Sequence, residues 1–170
     1  MPGVPVQVAW DMWTRKSDIP TWMPWCAPWC RLALVQLSFL TDATCFFRVK
    51  SVTVAADDPR VSTWALETVQ FNTPLSFSWR SRDLTPVPSS KIHWVSVDGL
   101  PNRGAVNFFP RGTGCVVQLS ISDELPGVLQ PVGDAVRPIV EGILKADMQR
   151  FASLAQQRAK AAGGGVGVGR

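Results

Sequence analysis

The sequence predicts an α+β domain in which a curved antiparallel sheet packs against one long C-terminal helix. Two patterns carry this expectation. Between Val49 and Asp123, large apolar residues alternate with polar ones in short runs separated by turn residues; from about Gly133 to Ala159, apolar residues recur at steps of three and four. With 170 residues, 46% hydrophobic and 18% charged, the chain has the size and content of one globular domain with one core, here assigned to residues 4–159.

The chain begins with a helical-looking segment and then enters the strands. These are read near 49–56, 61–69, 74–83, 90–98, 104–110 and 115–123, bounded by "DDP", "NTP", "TPVPSS", "DGLPNRG" and "PRGTG", which supply the Pro, Asn, Asp and Gly that tight connections need. In "LSFSWRS", Leu75, Phe77 and Trp79 point one way while Ser76, Ser78 and Arg80 point the other, the signature of a half-buried strand. Val117, Leu119 and Ile121 repeat the pattern in the last strand. The greasy face of this meander is covered by the helix, whose stripe is Val136, Ile139, Val140, Ile143, Leu144, Met148, Phe151 and Leu154. Pro138 is expected to bend the helix or to sit in an irregular first turn. The Gly-rich residues 160–170 read as a disordered tail. A helix roughly 10 Å wide does not fill the concavity of a six-strand sheet, so a cavity lined by aromatic residues is expected, with a solid core as the alternative.

Composition narrows the function classes. A net charge of +4 without a basic cluster gives no nucleic-acid footprint. Eight Trp, no Tyr and a single His favour binding over acid–base chemistry. Cys26, Cys30, Cys45 and Cys115 lack paired metal-ligand spacing, so no metal and no cofactor are expected, and the cysteines read as free thiols in a reducing compartment. The start has no basic n-region, and the apolar run Leu32–Leu40 has roughly half the length of a membrane span, so neither a secretory signal nor a transmembrane anchor is read.

Four stretches carry a family resemblance: "VPVQVAWDMW", "IPTWMPW", "KIHWVSVDGLPNRGAVNFFPRGTGCVVQLSISDELP" and "VGDAVRPIVEGILKADMQRFASLA". Together they resemble the polyketide cyclase/dehydrase and lipid-transport group of the START-like (helix-grip) superfamily, which also includes coenzyme-Q-binding proteins. The resemblance covers residues 4–25 and about 49–156, with "GLPNRGAVNFFPRG" as its most specific part. It implies a sheet wrapped around the C-terminal helix, two short helices near the N-terminus, and an apolar ligand tunnel between them. The function implied is binding or transport of a lipid, prenylquinone or polyketide-like molecule, with transient membrane contact. The alternatives are a cyclase-like enzyme that shapes its substrate and a regulatory protein with a vestigial pocket.

Two departures from the family pattern stand out. Relatives pass from the "WMPW" helix almost directly to "VKSVTV", so residues 26–48 read as an insertion, such as a translated retained intron; the alternative is a lineage-specific lid. Relatives also carry a strand before the equivalent of "VPVQVAWDMW". Without that first strand, residues 115–123 are expected to form an unpaired edge. Relatives in photosynthetic organisms suggest a chloroplast location if the source is photosynthetic.

The ligand-binding candidates are Trp22, Trp25, Phe77, Trp79, Trp94, Phe108, Ile143 and Leu144. Trp10, Trp13, Trp22 and Trp25 either cap the pocket or pack the short helices onto the sheet. Phe77, Trp79, Trp94 and Phe108 alternate on neighbouring strands toward the helix, where Ile143 and Leu144 complete an apolar wall. The indole N–H groups of Trp79 and Trp94 are suited to orienting a ligand carbonyl. Asn102, Arg103 and Gly104 read as turn residues. No catalytic residue is assigned: His93 faces away from Ile92 and Trp94, Asp123 and Glu124 face opposite ways, and no nucleophile, zinc or nucleotide motif is present. An enzyme is therefore the less favoured reading, although shaping a reactive chain needs few titratable groups.

Overall fold

Alternation in the middle of the chain and a stripe at its end produce a sheet followed by a helix. The computed structural model describes residues 1–24, 48–70, 73–99, 101–123 and 130–163. Trp25, residues 26–47 of the expected insertion, and the tail from 164 onward lie outside them.

Helix α1, Val6–Thr14, buries Ala9, Met12 and Trp13, positions that share one face. A 3-10 turn, Lys16–Asp18, reverses the chain into α2, Ile19–Trp22, where Pro20 sits in the first turn and needs no helical donor. The six strands are β1 (Arg48–Val54), β2 (Val61–Gln70), β3 (Thr73–Asp83), β4 (Lys91–Asp98), β5 (Asn102–Arg111) and β6 (Gly114–Asp123). They pair in sequence order, each antiparallel to the next, and match the expected strands to within a few residues.

Two irregularities help the sheet curl. Between Val49 and Ser51 the register skips Lys50, which lets Val49 and Val52 both turn inward although they are three apart. A second shift falls between Arg80 and Ser81 against β4. The inward face then carries Ser62, Trp64 and Leu66 from β2 opposite Ser81, Trp79 and Phe77 from β3. Ile92 and Trp94 follow from β4, opposite Val106 and Gly104 of β5.

The C-terminal helix, α3, runs from Gln130 to Gly163. Its described inward stripe is Ile143, Asp147, Phe151 and Ala155, all buried and spaced four apart. Pro138 lies inside the helix with its side chain exposed, upstream of that stripe. Residues 160–163 belong to this helix, which corrects the assignment of the whole span from 160 to the tail; Lys160, Ala161 and Ala162 are good helix formers and the first glycine follows them. Both α1 and α2 pack against α3, and α1 also reaches β5 and β6. The joint is aromatic: the ring of Trp22 lies 4.7 Å from Trp13 and 4.9 Å from Phe151, edge to face in both cases.

The β6 edge is not bare at its start. The Met1 amino group donates to the Cys115 carbonyl at 2.7 Å, and the Cys115 amide donates to the Met1 carbonyl at 3.2 Å. Gly114 permits this pairing, because a Cβ there would lie against the Met1 carbonyl oxygen and 3.0 Å from the Pro2 Cα. Beyond Cys115, β6 remains the terminal strand of the sheet, as expected, paired among the described residues with β5 alone.

Candidate functional site

The inward face of β2 and β3 forms three successive rungs. Ser62 faces Ser81, Trp64 faces Trp79, and Leu66 faces Phe77. The first rung is sealed under the 3-10 turn, and the Phe77 ring at the other end is 53% exposed. Trp64 and Trp79 stack between them, with ring centroids 5.6 Å apart and planes within 14° of parallel.

Polar groups close the sealed end. Lys16 pairs with Asp83 at 2.6 Å and donates to Ser62 Oγ at 3.1 Å. Ser62 and Ser81, both fully buried, hydrogen-bond to each other at 3.1 Å, and the Trp64 indole N–H is shared between them at 3.1 and 3.0 Å. Trp64, Lys16, Ser62, Ser81 and Asp83 were not singled out from the sequence. The alternation in "VSTWALE" places Ser62, Trp64 and Leu66 on one face, but only the β2–β3 register shows that Trp64 meets Trp79.

The residues expected to bind ligand fall into several settings. Phe77, Trp79, Trp94 and Phe108 lie on the same side of the sheet. Trp79 and Phe108 are packed into the core, 6% and 2% exposed, whereas Trp94 is half-buried. The Trp94 N–H is already engaged, donating to Asn102 Oδ1 at 3.1 Å, so it does not serve as an idle donor for a ligand carbonyl. Asn102 thereby does more than shape a turn: it begins β5 and fixes the Trp94 ring over Gly104. Trp22 is sealed in the cluster with Trp13 and Phe151, and Trp10 packs edge-on against Phe108 at 5.4 Å. Ile143 is buried in the α3 stripe, and Leu144, one residue on, is half-buried at its flank.

Asp147 is a carboxylate the sequence reading passed over. It is completely buried, occupies the position between Ile143 and Phe151 on the inward stripe, and accepts from Arg150. Its signal was available as a charge at the fourth place of an apolar row. His93 is half-buried on the strand face opposite Ile92 and Trp94, and no cluster suited to a metal ion is present among the described residues. Burial pushes the Cys115 thiol up from its ordinary value, while the Met1 amino group acts weakly the other way.

Two open clefts lie elsewhere. One, of about 550 Å³, runs between α2 and α3 and is lined by Trp22, Gln149, Arg150, Ser153 and Gln157. The other, of about 370 Å³, lies at the β4–β5 hairpin beside Asp98, Asn102 and Arg103. Neither is the chamber expected between sheet and α3. No helix among the described residues is long and apolar enough to cross a membrane.

Solved structures share this architecture. The di-domain aromatase/cyclase StfQ of the steffimycin biosynthetic pathway superposes with a TM-score of 0.63 at 13% identity, over 94% of this chain and 49% of StfQ, so this chain spans about half of that protein. The ZhuI aromatase/cyclase from Streptomyces sp. R1128 gives 0.61 at 11% identity, over 95% of this chain and 93% of that one. The Deinococcus radiodurans protein DR_A0006 gives 0.58 at 18% identity, over 92% and 93%. At these identities the likeness is one of fold. No curated protein sequence matches the chain. Residues 2–152 do match the sequence profile described as polyketide cyclase/dehydrase and lipid transport, and with nearly the whole domain covered, the chain belongs to that family of the START-like superfamily.

Proposed function

We propose that this protein binds and carries a hydrophobic small molecule of lipid, prenylquinone or polyketide-like class on the aromatic inward face of its sheet. The observation that carries the reading is the row from Trp64 and Trp79 to Phe77, closed by polar groups at one end and ending in a half-exposed ring at the other. Such a surface supplies large apolar area with little side-chain entropy to lose on binding. Trp94 and Leu144, both half-buried, extend it in this proposal, with Phe108 and Ile143 packed behind them, and loading involves transient contact with a membrane surface. Native mass spectrometry of the purified protein, followed by extraction and identification of co-purified lipid or quinone, tests it. A protein that carries nothing and rejects prenylquinones, fatty acids and polyketide mimics would favour the vestigial-pocket reading instead. A chloroplast location, where the source is photosynthetic, is part of the same proposal and is tested by imaging a fluorescent fusion of the full-length protein.

One observation favours a cyclase-like second reading: the carboxylate of Asp147 lies buried in the inward stripe of α3. A positioned carboxylate can take a proton from an activated methylene of a polyketide-like chain. Cyclisation of a polyketide mimic that is lost in Asp147→Asn, with binding retained, would support that reading.

A further inference from the structure

The polar groups at the sealed end form a directed chain. Ser62 Oγ accepts from Lys16 Nζ and from the Trp64 indole, which fills its two lone pairs, so its own proton goes to Ser81 Oγ. Ser81 Oγ then accepts from both Ser62 and Trp64. The single Trp64 N–H is held in a fork between two fully buried hydroxyls, which fixes the rotation of the ring that stacks on Trp79. Lys16 is the origin of this order. Its side chain is 10% exposed, its ammonium is held by Asp83, and it lies on the 3-10 turn, not on the sheet. An ion pair buried to this degree is a poor source of net stability compared with apolar packing, so its effect falls on geometry.

We propose that Lys16 is a positioning residue which, through Ser62 and Ser81, sets the Trp64–Trp79 pair and thereby makes the site selective for flat conjugated rings over flexible acyl chains. The inference rests on the reading of this face as a ligand site. A planar ring gains from a fixed stacking partner, whereas an acyl chain gains only from buried area, which a tilted indole supplies equally well. Without the ammonium, Ser62 regains a lone pair, the serine–serine bond is free to reverse, and the fork on Trp64 loosens.

The test uses 2-methyl-1,4-naphthoquinone and palmitate as probes, with circular dichroism of the coupled indoles as a readout independent of any ligand. The couplet is assigned by its loss in Trp64→Phe. Lys16→Met and Ser81→Ala are expected to lose the couplet and to weaken quinone binding about tenfold while palmitate affinity changes less than about twofold; Lys16→Arg, which keeps a cationic donor, is expected to retain both signals. Ser81→Ala leaves the Lys16–Asp83 pair in place, so it carries the test if Lys16→Met fails to fold. An unchanged couplet in both variants, or equal weakening of the two probes, overturns the proposal. Wild-type protein that binds neither probe overturns the ligand reading and the selectivity with it, and the couplet then decides separately whether Lys16 sets the indole pair.

Discussion

The Val49 amide donates to the Pro24 carbonyl at 3.2 Å, so the chain leaves α2 and enters β1 at one point although a long segment lies between them in sequence. Ends already held together need only a short connection. Replacing residues 26–47 by two glycines is therefore expected to preserve the fold, and the shorter loop should favour folding by about 1–2 kcal/mol. Urea denaturation of the shortened protein checks this; a loss of stability of several kcal/mol would show that the segment belongs to the core.

Trp94 and Gly104 are Cα partners across β4 and β5, and a Cβ on Gly104 would fall among the six-membered-ring carbons of Trp94 and 2.8 Å from the Ser120 carbonyl. Gly104→Ala is expected to destabilise the protein by about 1–3 kcal/mol, because the ring must leave its place and its bond to Asn102. Loss of near-ultraviolet dichroism together with a lower urea midpoint would register both effects. A neutral substitution would mean that the ring swings aside freely.

Phe151 and Phe77 provide a contrast between core and site. Phe151 is 0% exposed beneath Trp13 and Trp22, and Phe151→Ala should cost about 3–5 kcal/mol through lost burial and an unfilled hole. Phe77, with half of its surface open, should lose only about 1 kcal/mol in Phe77→Ala, since little packing is removed. Affinity for a co-purified ligand should then fall in Phe77→Ala by more than stability does. Equal stability losses in the two variants would identify Phe77 as core.

Cys115 links stability to alkaline pH. Burial raises its pKa in the folded state, so the neutral thiol is favoured there. Its contribution is complete below the unfolded-state value of about 8.5 and is lost as pH rises through the higher folded value. Between pH 8 and pH 10, the urea midpoint of the wild type should decline more than that of Cys115→Ala. In a variant with Ser at 26, 30 and 45, alkylation of Cys115 should follow the rate of unfolding. Identical pH slopes would show that the folded thiol ionises as readily as the unfolded one.

The sequence alone determined the order and nature of the elements, because alternation and helical spacing are local properties. Phe77 and Trp79 on one face of a strand, Val117 and Leu119 on one face of another, and the recurrence from Ile143 to Phe151 were all legible, as was the family resemblance in "GLPNRGAVNFFPRG". Which side chains meet was not, because that depends on register and on how distant segments dock. Strand pairing placed Trp64 against Trp79 and Trp94 over Gly104. Docking of the 3-10 turn brought Lys16 to Asp83 and Ser62, residues far apart in the chain. Whether an inward ring is core or surface was decided by what covers it: Phe77 and Phe108 share a face of the sheet and the same alternation, yet one is half open and the other sealed beneath Trp10. Burial is a property of the whole packing arrangement, and no local pattern of residues contains it.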